Sequence, residues 1–203
     1  MTTCDFIYLA SKSARRSELL TQIGVSHQVL ELNEGVAGEV NETAYADESA
    51  QSYVQRLALM KAHAGWTKLE ALSLPPRPLL SADTTVELDR IILGKPTDMV
   101  HATSMLRNLS GKLHHVHTAV AVKMHGRVEM ALSSSAVRFR SIEEAEIERY
   151  VRSGEPMDKA GGYAIQGRAA AFVEYLSGSH SGVVGLPLFE SLALLKKFGV
   201  NIP

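Results

Sequence analysis

Arg15 and Arg16 stand in a segment, Leu9 to Leu20, that reads as a buried strand stopping at small hydroxylated residues and restarting as a helix. Two cations in a first helical turn oppose the electropositive N–H groups there, at a cost of about 0.3–1 kcal/mol each unless an anion binds nearby. Backbone N–H groups, the Ser11 and Ser13 hydroxyls and two guanidinium forks are the parts of a phosphate cradle. The other reading is a surface turn with solvated arginines. Asp83 ends the apolar run Leu79 to Ala82 and precedes two threonines, which places a carboxylate at a strand end as a candidate base or metal ligand, or as a turn cap. Glu34, on a polar stretch, is a candidate second carboxylate, and two carboxylates with phosphate oxygens suit the hard-oxygen preference of Mg²⁺. Lys95, between Gly94 and Pro96, and Lys61, on a helical pattern, are candidate phosphate clamps. A triphosphate is the ligand that would use Arg15, Arg16, Lys61 and Lys95 together.

The stretch Gly154 to Gly167 packs turn formers, charges, Tyr163 and Gln166 into one loop, a composition associated with binding. The Gln166 amide offers an acceptor and a donor that match the edge of uracil or thymine, and after a flip that of cytosine. His114, His115 and His117 include two residues on one strand face, but no third ligand at zinc spacing accompanies them. In Gly178-Ser179-His180-Ser181-Gly182 the serine is off-centre for a hydrolase elbow, and no Gly-rich run ends in Gly-Lys-Ser/Thr.

The elements that must position these groups alternate. Asp5–Ala10 is predicted as a strand, Ala14–Ile23 as a helix closed by Gly24, and His27–Leu32 as a second strand. Asn33–Glu48 is a polar, acidic loop, and Ser49 precedes an amphipathic helix with Lys61 near its buried edge. After a proline-rich connector, Leu79–Ala82 is a short strand ending in Asp83, and Thr85–Leu88 and Arg90–Leu93 flank a tight reversal. Thr97 or Asp98 caps a helix to Leu109, and His115–Lys123 and Arg127–Arg140 are longer strands. Ser141 and Glu144 have the spacing of a capping box for a helix to Val151, Ala170–Leu176 is a strand, and Leu186–Phe198 is the closing helix. The class is α/β.

The chain has 203 residues, 45% of them hydrophobic, enough for one folding unit over residues 1–203. Its 21 basic and 22 acidic residues give a formal charge of -1, so no global basic field attracts a nucleic acid polymer or an anionic membrane. The single cysteine, Cys4, excludes an internal disulfide and a cysteine-based zinc site. No apolar run approaches a membrane span, and a cytoplasmic protein is expected.

Taken in order, the motifs resemble those of the Maf family of nucleotide pyrophosphatases. They are Leu9-Ala10-Ser11-Lys12-Ser13-Ala14-Arg15-Arg16, Arg56-Leu57-Ala58-Leu59-Met60-Lys61-Ala62, Ala82-Asp83-Thr84-Thr85-Val86, Gly94-Lys95-Pro96, Leu109-Ser110-Gly111, the run Asp158 to Gly167, and Val183-Val184-Gly185-Leu186-Pro187-Leu188. The resemblance implies an elongated mixed sheet flanked by helices, similar to the inosine triphosphatase fold, with two lobes around a deep nucleotide cleft. It implies a house-cleaning enzyme that splits dTTP and UTP, and modified pyrimidine nucleotides, into monophosphate and pyrophosphate. By the same similarity Asp83 is the catalytic carboxylate, Ser11, Arg15, Arg16, Lys61 and Lys95 handle phosphates, and Arg15, Thr84 and Gln166 set substrate choice. Glu34 and Asp83 would bind Mg²⁺ or Mn²⁺, and the protein would be a homodimer. A second role associated with the family name is that of a nucleotide-binding regulator of cell division with incidental hydrolysis. Ala14 stands where proline is usual and Gly162 where alanine is common, and Asn33–Glu48 and Pro75–Pro78 are longer than typical.

Overall fold

The computed structural model describes residues 5–32 and 41–201. Strand β1 (Ile7–Leu9) leads into helix α1 (Ala14–Gln22), strand β2 (His27–Val29) and, after residue 41, the long helix α2 (Ala50–Ala71). The Ser49 hydroxyl starts α2 as expected, accepting the Ser52 N–H at 3.1 Å. Strand β3 (Leu79–Leu88) pairs with β4 (Ile91–Leu93) through a turn in which Asp89 and Arg90 both have positive φ, 51° and 67°. Two positive φ values give the reversal the twist that suits a two-residue hairpin. Helix α3 (Met99–Leu109), capped by Asp98, then precedes strands β5 (Leu113–Met124) and β6 (Arg127–Phe139). Helix α4 (Glu144–Arg152), three short 3₁₀ turns between Glu155 and Phe172, strand β7 (Val173–Ser177) and helices α5 (His180–Val184) and α6 (Leu188–Lys197) complete the order.

All the described strands join one mixed sheet, β2-β1-β3-β5-β6-β7, with β4 on β3. β1 runs parallel to both β2 and β3, and the remaining pairs are antiparallel. The chain leaves β1 for β2 on one side and crosses by α2 to β3 on the other. This reversal of winding direction opens a crevice at the carboxyl end of β1, the usual ligand position in such sheets. β3 is longer than the sequence suggests: β5 pairs with it continuously from Leu79↔Lys123 to Glu87↔His115, so Asp83 lies mid-strand. On its other edge β1 pairs only at Leu79 and Leu80, and β4 only from Val86 onward. Between these two partners residues 81–85 have no neighbouring strand, and there the site forms.

Alternation along β3 fixes what covers each face. Leu79 packs toward α2 with Tyr8, Ala58, Ala62, Trp66, Ala119 and Ala121. Leu80 and Ala82 meet α1 and α6 through Leu20, Leu194 and Leu195. Further along that second face Val86 and Leu88 join Leu106, Phe139, Ile147 and Tyr163 under α3 and α4. Thr84 and Thr118, opposite each other in register, separate these two cores. Among the described residues no helix is long and apolar enough to cross a membrane.

Helix α4 begins two residues later than the Ser141/Glu144 pattern predicts. Glu143 is the N-cap, and the Glu146 carboxylate accepts its N–H at 3.1 Å. Ile142 and Ile147, which flank that turn, enter the same core, and this apolar staple sets the register. Hydrogen bonds from Arg140, with a further one from the Glu143 backbone, pull Glu146 from the ordinary 4.5 down to about 2. A carboxylate depressed in the folded state contributes stability above its unfolded pKa and loses it as pH falls through the folded one. Glu146→Gln is expected to lower stability at neutral pH and to flatten the loss between about pH 4.5 and 2, read from urea midpoints across that range.

Candidate active site

The unpaired edge of β3 borders a cavity of about 740 Å³, within the range of small-molecule sites. Asp83 points from β3 toward α2, and its side chain is 11% exposed. Lys61 comes down from α2 and donates to Asp83 Oδ1 at 2.6 Å. The same ammonium lies 2.6 Å from Glu42 Oε1, so two carboxylates flank one cation. Burial pushes the Asp83 carboxyl above its ordinary range, against the pull of Lys61 and Arg16. Burial acts the same way on Glu42, but Lys61, Lys95 and Arg16 together hold it below the ordinary glutamate range. Asp83 is therefore a carboxylate in a poorly solvated position whose charge depends on neighbouring cations, a common property of proton-handling groups.

Thr84, the next residue, faces the opposite side of the sheet and meets Arg16. The Arg16 guanidinium donates from Nε to the Gly185 carbonyl at 2.8 Å, from one terminal nitrogen to Ser11 Oγ at 3.2 Å and from the other to Thr84 Oγ1 at 3.3 Å. Thr118 Oγ1 lies 3.0 Å from Thr84 Oγ1 and 2.7 Å from the Gly182 carbonyl, tying α5 to the same point. Burial lowers the pKa of Arg16 and Asp83 opposes that shift. Ser13 is the N-cap of α1 without a side-chain cap bond, and no acidic residue occupies the first turn. The electropositive helix end and both arginines thus border the cavity.

The other predicted residues converge on the same space. Ser11, Arg15, Arg16, Lys61, Asp83, Thr84, Lys95 and Gln166 all line the cavity. Arg15 is held at the rim by Asp158 at 3.3 Å, and the Gly161 N–H donates to the Gly94 carbonyl at 2.9 Å, joining the Gln166 loop to the Lys95 turn. Gly161 is required there: its φ is +69°, and a Cβ would meet the Val86 side chain at 2.8 Å. Val86, Val116, Tyr163, Ala164, Val183 and Val184 give this end of the cavity an apolar lining, suited to a base, with the exposed Gln166 beside it.

Glu34 and Cys4 lie outside the described residues. Glu42, which the sequence places within the polar, acidic loop Asn33–Glu48 without a role of its own, is the carboxylate found beside Lys61 and Asp83. Only its position before the predicted α2 could have pointed to it. Lys12 and Lys159 also line the cavity. The histidines have structural partners. His114 packs edge-on to Phe139 and Tyr163 with burial pushing it down to about 4, and His117 sits 2.9 Å from both Glu87 and Ser134. Ser179 caps α5, accepting the Gly182 N–H at 3.0 Å.

Among the described residues no three His, Cys, Asp or Glu side chains gather as a metal cluster. Asp83 and Glu42 nevertheless suit a hard divalent cation completed by phosphate oxygens and water, since both already face the single positive charge of Lys61.

A family model described as Maf-like protein matches residues 6–198. The chain is 52% identical over 198 residues to a dTTP/UTP pyrophosphatase of Nitrosomonas europaea, covering 97% of this chain and 96% of that protein. It is 51% identical to one from Aromatoleum aromaticum, with 95% of each covered, and 48% identical to one from Chromobacterium violaceum over the full length of both. Among solved structures, the Ham1 protein of Staphylococcus aureus aligns with a TM-score of 0.49 and 12% identity, over 95% of this chain and 96% of that one.

Proposed function

The chain belongs to the Maf family, and we propose that it is a nucleoside triphosphate pyrophosphatase that converts dTTP and UTP to the monophosphates. The observation that carries this reading is a cavity that unites a poorly solvated carboxylate, Asp83, with Arg15, Arg16, Lys61 and Lys95 around it and Gln166 at its apolar end. Asp83 orients a water and accepts its proton as the oxygen attacks the α-phosphorus. The α–β phosphoanhydride bond breaks and pyrophosphate leaves. Arg16, Lys61 and Lys95 stabilise the negative charge that grows on the departing group, since phosphoryl transfer rests on positioning and electrostatics. Mg²⁺ or Mn²⁺ held by Asp83 and Glu42 would neutralise triphosphate charge and make a bound water more acidic.

Pyrophosphate release from the purified protein with dTTP, UTP, CTP and GTP, in Mg²⁺, Mn²⁺ or chelator, tests the reading. Metal-dependent release from dTTP and UTP supports it. Silence across the panel with nucleotide still bound would leave a binding protein instead. Gln166→Glu keeps the shape but replaces the amide donor with a negative acceptor that cannot donate to the O4 of the base. The ratio of kcat/KM for UTP over CTP is expected to fall about tenfold or more, the scale of one lost polar contact. An unchanged ratio would remove Gln166 from base reading.

A further inference from the structure

Glu42 stands on residues 41–49, a stretch with neither helix nor strand, and its side chain is 50% exposed. A carboxylate in such a place keeps a fixed position only if its backbone is held. Helix α2 holds it at three successive carbonyls. Arg56 donates to the Asn41 carbonyl at 3.4 Å and the Thr43 carbonyl at 3.1 Å, and the Tyr53 hydroxyl donates to the Glu42 carbonyl between them at 2.9 Å. The Arg56 fork is itself locked by a two-pronged pair with Glu48, at 2.7 and 2.6 Å, and its face lies 4.0 Å from the Tyr45 ring centre. Asn41 Oδ1 accepts the Thr43 N–H at 2.9 Å, which tightens the turn around Glu42 from inside. Four of the five Arg56 N–H groups are thereby engaged, all with the segment that bears Glu42.

Arg56 touches none of the cavity. Lys61, five residues further along the same helix, touches both carboxylates. One rigid helix therefore sets the backbone of Glu42 through Arg56 and its carboxylate through Lys61. We propose that Arg56, locked by Glu48, is a positioning residue that holds Glu42 against Asp83 and so sets the affinity of that carboxylate pair for a divalent cation. The proposal rests on the reading of Glu42 given above.

The test is Mn²⁺ binding to the purified protein without nucleotide, followed by electron paramagnetic resonance, for the wild type, E42Q, R56M, R56K, E48Q and the double variant E42Q/R56M. R56M is expected to weaken Mn²⁺ binding by about tenfold or more, as losses of ligand-orienting partners do, and E48Q less. R56K, which cannot reach two carbonyls and a carboxylate with one planar fork, should recover only part of the loss. Because Arg56 acts through Glu42, the double variant should bind no more weakly than E42Q alone, a non-additivity that general loosening of the fold would not produce. Wild-type affinity in R56M, or multiplying losses in the double variant, overturns the proposal. If R56M does not fold, E48Q and R56K decide it by the same criterion. Wild-type affinity in E42Q would overturn the metal role of Glu42 and this inference with it, whereas loss in E42Q with none in R56M overturns the inference alone.

Discussion

Asp83→Asn is expected to reduce the rate of pyrophosphate release from dTTP by about a thousandfold, within the range contributed by a positioned acid or base, while nucleotide binding is kept or strengthened. Asparagine preserves the volume on β3 and a carbonyl oxygen facing Lys61, so neither the strand nor the packing under α2 is disturbed. It removes the negative charge that now faces Lys61 and Arg16. Those cations then turn their full charge on the triphosphate, and the dissociation constant for a non-hydrolysable dTTP analogue should stay level or fall. The thermal midpoint should change little, because the buried carboxylate whose desolvation raises its pKa is replaced by a neutral amide. The decisive pair of measurements is single-turnover hydrolysis beside analogue binding by calorimetry. Turnover within tenfold of wild type would remove Asp83 from the chemistry, and loss of turnover together with loss of binding and a lowered thermal midpoint would make it a structural residue.

The longer helices are legible in local pattern, whereas the start of α4, the short helix α5 and the full length of β3 are not. The helices α1, α2 and α3 follow from apolar spacing and from Ser49, Asp98 and Gly24 at their ends, because those signals act within a turn or two. Arg15 and Arg16 are conspicuous in the sequence because they oppose the dipole of their own helix. The sequence reads β3 as two pieces, Leu79–Ala82 and Thr85–Leu88, because the polar pair Asp83 and Thr84 breaks the apolar run. β5 carries the ladder through them, and the surrounding cations and hydroxyls satisfy their side chains. The start of α4 differs from the sequence pattern because two capping patterns overlap in Ser141 to Glu146, and burial of Ile142 and Ile147 selects the second. Glu42 is illegible in the sequence for a different reason. Its place is fixed by Tyr53, Arg56 and Lys61 from the next helix, and no spacing within residues 41–49 encodes that.

Arg16→Met is the second large effect, and it should separate two jobs that one side chain performs. Three of the five guanidinium N–H groups bind Gly185, Ser11 and Thr84, which belong to the turn before α6, the turn before α1 and strand β3. The two that remain are on the terminal nitrogens of a residue that lines the cavity, and on the proposed function they are the donors for a phosphate oxygen. Methionine keeps the aliphatic stem but leaves the Gly185 carbonyl and two hydroxyls without this donor, and stability should fall by about 2–3 kcal/mol. It also deletes a positive charge that lowers the pKa of Asp83. Catalysis should therefore drop further than stability explains, by about a hundredfold in kcat/KM, equivalent to about 2.7 kcal/mol in the transition state. Arg16→Lys keeps the charge yet reaches only one or two of the three anchor points, so it should restore part of the rate and little of the stability. Urea titrations and steady-state kinetics on both variants read the two effects separately. If the lysine variant regains stability but not rate, the three anchoring bonds are not what Arg16 contributes to the fold. If the methionine variant turns over dTTP normally once folded, its charge has no part in the reaction.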